Sequence, residues 1–346
     1  MRRWLFATLG VLVVVSPQAL LVAGQSARGQ GAADPSSRQT WKPARTADGH
    51  PDMQGIWDFR TVTPLERPTE FAGKAVMTEQ EAAAYERRIV EGRDADANRD
   101  KTDTSRGVIN GTLTTADVAL AYNEFWWDRG TKVVGSRQTS LVVDPQDGRI
   151  PPLTPEGKLR IEAQDAARER LALGPEDRSV GERCILGFNS GPPMVPGGYN
   201  MNLQIIQAPG YVVLVNEMVH SARIVPLDGR PHGGVAALTG TSRGRWDGDT
   251  LVVDTKNFSY ETSLRGSSPN LHLVERFTRA DRDTLLYEFT VNDTTTWTRP
   301  WTARVPMRRT EDQMFEYACH EANYGMTNLL KGARFLEKEA AEKTSR

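Results

Sequence analysis

One stretch, Gln207–His232 (QAPGYVVLVNEMVHSARIVPLDGRPH), collects Glu217, His220, Arg223, Asp228 and His232 beside two runs of alternating apolar residues. A carboxylate next to an imidazole can orient the ring and exchange protons near neutral pH. The two-residue period of a strand puts Tyr211, Val213, Val215 and Glu217 on one face. His220, Ala222 and Ile224 share a face of the following strand. A tight bend that keeps register would bring Glu217 and His220 together at one sheet end. Arg223 has the fork geometry to hold a carboxylate or an oxyanion. A structural alternative uses the same residues, with Glu217 and Arg223 as a cross-strand ion pair and His220 capping the bend.

A second group, Cys319-His320-Glu321 followed by Asn323 and Tyr324, leaves the last expected strand. In a closed barrel the first and last strands are neighbours, which would turn His320 and Glu321 toward the His220 end. Proton transfer by Glu217 and His220, with Arg223 or His320 on an anionic group, is the chemistry these residue types allow. His220, His232, His320 and a carboxylate would then make a plausible metal set, but no spacing demands one and no metal is assigned. Expected ligand contacts are His232, Trp246, Tyr287, Trp297, Trp301 and Glu321, because several aromatic rings around one cavity suit an aromatic, terpenoid or sugar ligand. The plain alternative is that these rings fill a core. Trp297-Thr298-Arg299-Pro300-Trp301 has the composition of a rim with Arg299 stacked between two indoles.

Motifs that would announce other chemistries are missing. There is no GxGxxG after a strand, no P-loop, no GxSxG elbow, no CxxC and no HExxH. Nucleotide cofactors, α/β serine hydrolases and zincins are disfavoured, and no cofactor is expected. The formal charge of −1, with both signs interspersed, points to neither nucleic acid nor an anionic membrane as partner.

The elements that must position these residues follow from pattern. Residues 202–207, 211–217 and 220–226 alternate as strands. So do 242–246 and 250–256, joined by Asp247-Gly248, a strong hairpin signal. Residues 270–279, 284–292, 300–308 and 313–319 complete a run with short linkers. A meander of about eight antiparallel strands without helical crossovers closes as a barrel or packs as a sandwich. Upstream, Gly55-Ile56-Trp57 reads as a short edge strand and Ser136–Val143 as a strand joining the later sheet. Thr78 with Glu81 forms a capping box that opens a helix to about Gly92. Thr114 or Thr115 caps a helix through Trp127, whose Tyr122, Phe125 and Trp126 give it an aromatic face. Pro155 after Thr154 starts a helix over about 155–172. The fold class is therefore α+β: an α-rich region over 51–198 packed on an antiparallel β core over 199–335. Tyr324–Phe335 is a short closing helix and 336–346 a charged tail.

The N-terminus reads as a secretory signal peptide over 1–24, with Arg2 and Arg3 before the apolar run Trp4–Val15. That run is too short to span a bilayer comfortably, so no stable membrane span is expected after processing. Residues 25–50 read as a flexible leader. Export makes the two cysteines informative: an oxidising compartment permits a Cys184–Cys319 bridge, the alternative being two separate buried thiols.

PDMQGIW (51–57), TSLVVDPQDGRIPPLTPEG (139–157), SRGRWDGDTLVVDTKNF (242–258), HLVERFTRADRDTLLYEFTVND (272–293) and YACHEANYGM (317–326), with the stretch 207–232, resemble a large family of exported, functionally uncharacterised bacterial proteins of Acidobacteria and some Proteobacteria. The resemblance covers nearly all of the expected mature chain and implies export without naming an activity. The RWDGDTLVVDT…ERFTRADRDTLLYEF pattern is also loosely similar to lipocalin-type (calycin) barrels. Two functions fit these readings. One is an exported, cofactor-independent hydrolase, lyase or isomerase for a small organic substrate. The other is a periplasmic or secreted small-molecule-binding or accessory protein without catalysis.

Overall fold

Alternation of apolar and polar residues does become strand in this chain. The computed structural model describes residues 41–93, 108–109, 112–113, 127–261, 264, 266–321 and 323–344. Ten strands make one sheet: β1 (Gly55–Asp58), β2 (Val142–Asp144), β3 (Asn202–Ala208), β4 (Tyr211–Asn216), β5 (Ala222–Pro226), β6 (Thr241–Asp247), β7 (Thr250–Lys256), β8 (His272–Arg279), β9 (Thr284–Asn292) and β10 (Trp301–Thr310). Among the described residues three α-helices accompany it: α1 (Glu79–Arg93), α2 (Pro155–Glu169) and α3 (Tyr324–Thr344).

Strand order is β5-β4-β3-β1-β10-β9-β8-β7-β6, antiparallel throughout, with β2 also paired to β10. Two meanders, β3–β5 and β6–β10, are thus joined through β1. The segment Gly55–Trp57 is therefore not an edge but the seam of the whole sheet. Trp57 pairs with Leu203 on one side and Arg309 on the other, and its side chain is fully buried. Its indole Nε1 donates to the Met53 carbonyl at 2.9 Å, so the ring is buried without an orphaned donor.

The sheet curls around one core in which inward residues alternate along every strand. Leu203 and Ile205 (β3), Val212 and Leu214 (β4), Leu273 and Phe277 (β8), Leu285, Tyr287 and Phe289 (β9) and Trp301, Ala303 and Val305 (β10) all belong to it. The expected barrel or sandwich is corrected: the ten strands form one sheet that is not closed into a barrel, and the only other ladder among the described residues is the short pairing of Val108–Ile109 with Thr112–Leu113. Its two end strands, β5 and β6, meet through side chains without a hydrogen-bonded ladder. Gly244 lies at that approach, where an added Cβ would fall 2.8 Å from Val225 Cγ1 and 2.5 Å from Leu227 Cδ2. Pro306, in the middle of β10, is tolerated for a related reason. Arg304 N–H points to Leu141 O on the β1/β2 side of the strand, and Pro306 shares its parity. The missing donor therefore faces the interval between β2 and β1, where no ladder needs it.

Local signals at the helices behave as their chemistry requires. Thr78 N–H donates to Glu81 Oε2 (2.8 Å) and Glu81 N–H to Thr78 Oγ1 (3.2 Å). Hydrogen bonding from Lys74, then from Thr78, pulls the Glu81 carboxyl down to about 2. Thr154 Oγ1 accepts from Gly157 N–H at 3.0 Å with Pro155 at the first helical position.

Other expectations need correction. Residues 313–319 form no strand, since Phe315 N–H is spent on a side chain rather than a ladder. Of 136–143 only the end enters the sheet, as Val142–Asp144, and α2 stops at Glu169. The closing helix continues to Thr344, so most of the expected tail is helical. Residues 41–50 pack on the body instead of hanging free: Arg45 reaches Asp249 at 2.7 Å and His50 stacks on Trp246. The expected signal peptide, the rest of the leader and the aromatic helix before Trp127 lie outside the described residues. Among the described residues no helix is long and apolar enough to cross a membrane.

Candidate functional site

Glu217 sits where β4 ends. After Met218, Val219 and His220 take left-handed backbone angles (φ 50° and 49°), a conformation that β-branched residues rarely adopt. This bend lets Asn216 N–H reach Ser221 O (2.9 Å) so that β5 can start at once. It also sends neighbouring side chains opposite ways. Glu217 and Met218 turn in and are buried, while His220 is exposed. A one-residue slip in such a bend reverses facing, which is why strand periodicity alone does not place His220.

The Glu217 carboxylate forms part of the wall of a cavity of about 430 Å³. Asn202 Nδ2 donates to its Oε2 at 2.9 Å and Phe315 N–H to its Oε1 at 3.1 Å. No cation approaches it within ion-pair distance among the described residues. Asn202, at the start of β3, is itself buried, and its Oδ1 has no hydrogen-bond partner. Arg60 and Asp312 line the same space. Arg60 is committed elsewhere: Nε and Nη2 donate to the buried Asp58 at 2.8 and 3.0 Å, and Nη1 to Asp128 at 2.5 Å. Hydrogen bonding to Asp58 holds the guanidinium above its ordinary range, against the opposing effect of burial.

A strap over residues 311–321 covers this end of the sheet and is tied at several points. Phe315 N–H holds Glu217, and the Tyr317 hydroxyl meets that of Tyr199 at 3.3 Å. Cys319 is bonded to Cys184, with Cα atoms 5.6 Å apart, so the bridge that the sequence permits is present. Asn323 Nδ2 donates to Glu182 O at 2.9 Å beside it. Tyr199 is packed among Trp127, Phe188 and Tyr317, with ring centroids 5.5–5.6 Å apart.

The C-terminal segment thus does come to Glu217, but through Phe315 and not through His320. His320 and Glu321 are exposed on the strap, and neither they nor the His220 side chain has a side-chain partner among the described residues. Arg223 does not pair with Glu217. It lies inside the sheet and makes a two-point ion pair with Glu275 of β8, at 2.6 and 2.8 Å. The side chains of this pair are 4% and 0% exposed. Tyr287 donates to Glu275 Oε1 at 2.8 Å and accepts from Met194 N–H at 3.1 Å. Burial, reinforced by the Glu275 charge, drives the Tyr287 hydroxyl well above its usual range. For Arg223, burial works against the charged form and Glu275 outweighs it. Tyr287 is therefore a core hydroxyl and not a cavity lining.

The remaining expected contacts are dispersed. Trp297 and Trp301 are buried edge to face, 5.9 Å apart, and Arg299 reaches Asp144 at 3.4 Å instead of lying between the two rings. Trp246 stacks on His50 with centroids 4.6 Å apart. A cavity of about 670 Å³ adjoins that stack, but none of its ionisable lining groups is buried, so it offers less directed chemistry than the Glu217 cavity.

His232 belongs to a cluster that the sequence reading missed. Its Nε2 lies 2.8 Å from Asp254 Oδ1, and its Nδ1 lies 3.2 Å from Thr241 Oγ1. His272 Nε2 lies 2.7 Å from the other oxygen of Asp254. Burial raises the Asp254 carboxyl pKa, but hydrogen bonding and charge from His272, with His232 and Lys256, outweigh it and leave it below the usual range. The outward parity of Asp254 and His272 on adjacent strands was available from the alternation, whereas His232 arrives from a loop. No group of three or more histidine, cysteine and acidic residues suited to a metal occurs among the described residues. Comparison with family models, curated proteins and solved structures returned no match.

Proposed function

We propose that this is an exported protein that binds a small organic molecule in the Glu217 cavity. One observation carries the reading: a buried carboxylate faces a cavity and is held only by neutral donors. Burying a charge is costly unless it is paired or well hydrogen-bonded. Two donors on two oxygens leave lone pairs that a ligand can use. The tied strap supports a preorganised site, because Phe315, Tyr317 and Cys319 each anchor it at a different point. A disulfide between sequence-distant cysteines supports an oxidising, extracytoplasmic location, as does the leader-like N-terminus.

The test is a thermal-shift screen of pooled small molecules, followed by calorimetric titration of hits into wild type and Glu217→Gln. A ligand of this cavity raises the melting temperature by mass action and loses affinity in the variant. Hits whose affinity is the same in Glu217→Gln and in Tyr199→Ala would remove the cavity from the proposal.

A second reading, a cofactor-independent hydrolase, lyase or isomerase, is favoured by the Asp254 carboxylate between two imidazoles. A carboxylate in hydrogen-bond contact with an imidazole orients the ring for proton transfer. It predicts turnover of a bound hit that is lost in His272→Ala. Binding without turnover in wild type leaves only the first reading.

A further inference from the structure

We infer that the Glu217 cavity selects organic ammonium ions with a compact apolar or aromatic body, a ligand class that rests on the cavity reading above. Charge is the first argument. Among the described residues the lining holds three carboxylates, Asp128, Glu217 and Asp312, against one guanidinium, Arg60. Arg60 is already engaged by Asp58 and Asp128, and Asp312 lies 3.7 Å from it. Glu217 is the carboxylate left without a cation. An anionic ligand would meet net negative charge, and a neutral one would leave that charge unanswered.

Hydrogen-bond inventory is the second and independent argument. Asn202 is only 8% exposed, lines the cavity and keeps an unpartnered Oδ1. One N–H of its amide goes to Glu217, which leaves the buried Oδ1 as its acceptor without a partner. Glu217 Oε1 and Oε2 are also acceptors only. Glu217 and Asn202 thus keep acceptor capacity that a ligand made of donors can use, and an ammonium group carries up to three. Tyr199 and Phe315 lie beside these acceptors and provide faces for a cation and an apolar body. No histidine or cysteine is among the described lining residues, which turns the choice away from soft metal ions.

The experiment compares three probes with one body and different heads: benzylamine, benzyl alcohol and benzoate. Each is titrated calorimetrically into the purified protein with its disulfide intact, near neutral pH and low salt. Benzylamine is expected to bind at least about tenfold more tightly than either of the others, the size of one charge-assisted hydrogen bond. Glu217→Gln, nearly isosteric, is expected to bring benzylamine to the level of the alcohol. Asp312→Asn, on the exposed rim, should weaken benzylamine about twofold and leave benzyl alcohol unchanged, and it guards against a folding defect in the buried variant.

Benzyl alcohol or benzoate binding as tightly as benzylamine, with Tyr199→Ala abolishing both, overturns the ammonium class and leaves the cavity as a binding site. Calcium chloride binding where benzylamine does not also overturns the class. Absence of heat for all three probes, with no change in Tyr199-sensitive fluorescence up to about 10 mM, the weak end of small-ligand affinity, overturns class and cavity together.

Discussion

Removing Arg223 while leaving Glu275 in place is the most demanding perturbation of this core. In Arg223→Met, Glu275 keeps only the Tyr287 hydroxyl, at 2.8 Å, in an environment where its side chain is 0% exposed. Breaking a buried pair by deleting one partner costs about 3–5 kcal/mol, because the survivor is left without compensation. The remaining Tyr287 bond places the expected loss at the lower end, about 3 kcal/mol. Glu275→Leu alone strands the guanidinium, whose Nε already has no partner, and should cost about 4 kcal/mol. The double variant, Arg223→Met with Glu275→Leu, leaves no buried charge and should lie within about 1 kcal/mol of wild type. Urea unfolding followed by tryptophan fluorescence gives the three free energies, and the cycle should show a coupling of several kcal/mol. If each single variant loses less than about 1 kcal/mol, or if the double variant loses the sum of the two, the pair is not the buried, mutually compensating unit described above.

Further outcomes follow from other parts of the fold. Asp254 has a depressed folded-state pKa, so its contribution to stability is present above the unfolded value of about 3.9 and is lost as pH falls through the folded one. Wild type should therefore lose more stability between about pH 5 and 3 than Asp254→Asn, and parallel pH profiles of unfolding would contradict this. Replacing Cys184 and Cys319 with serine opens a loop of 135 residues and should cost roughly 4–5 kcal/mol in urea unfolding. It should also weaken ligand binding in the Glu217 cavity by freeing the strap. Gly157→Ala in α2 would ordinarily gain up to about 1 kcal/mol in helix propensity. Here the new Cβ would lie 2.5 Å from the backbone oxygen of Thr296, so a net loss is expected, and a raised melting temperature would show that α2 can shift away.

Strand alternation, turn residues and helix caps are local, and they were legible. The Asp247-Gly248 hairpin joins β6 to β7, Thr78 caps α1 and Thr154 caps α2, each using groups within a few residues of one another. Glu275 was legible too, and overlooked: in His-Leu-Val-Glu-Arg-Phe the carboxylate shares parity with Leu273 and Phe277 and so must face the core. Glu217 was singled out correctly as a residue beside an apolar strand, but its partners were not legible. The left-handed bend at Val219 and His220 separates it from the nearby histidine, and Phe315 reaches it across a sequence separation of 98.

The chain by itself determined the antiparallel meanders, the helix starts and the availability of two cysteines, because these depend on period, backbone preference and composition. Tertiary structure decided that Gly55–Asp58 joins the two meanders, that Arg223 answers Glu275 rather than Glu217, and that the strap closes over Asn202 and Glu217. Such pairings are selected by the global burial of charge and apolar surface, a quantity that no local stretch of sequence contains.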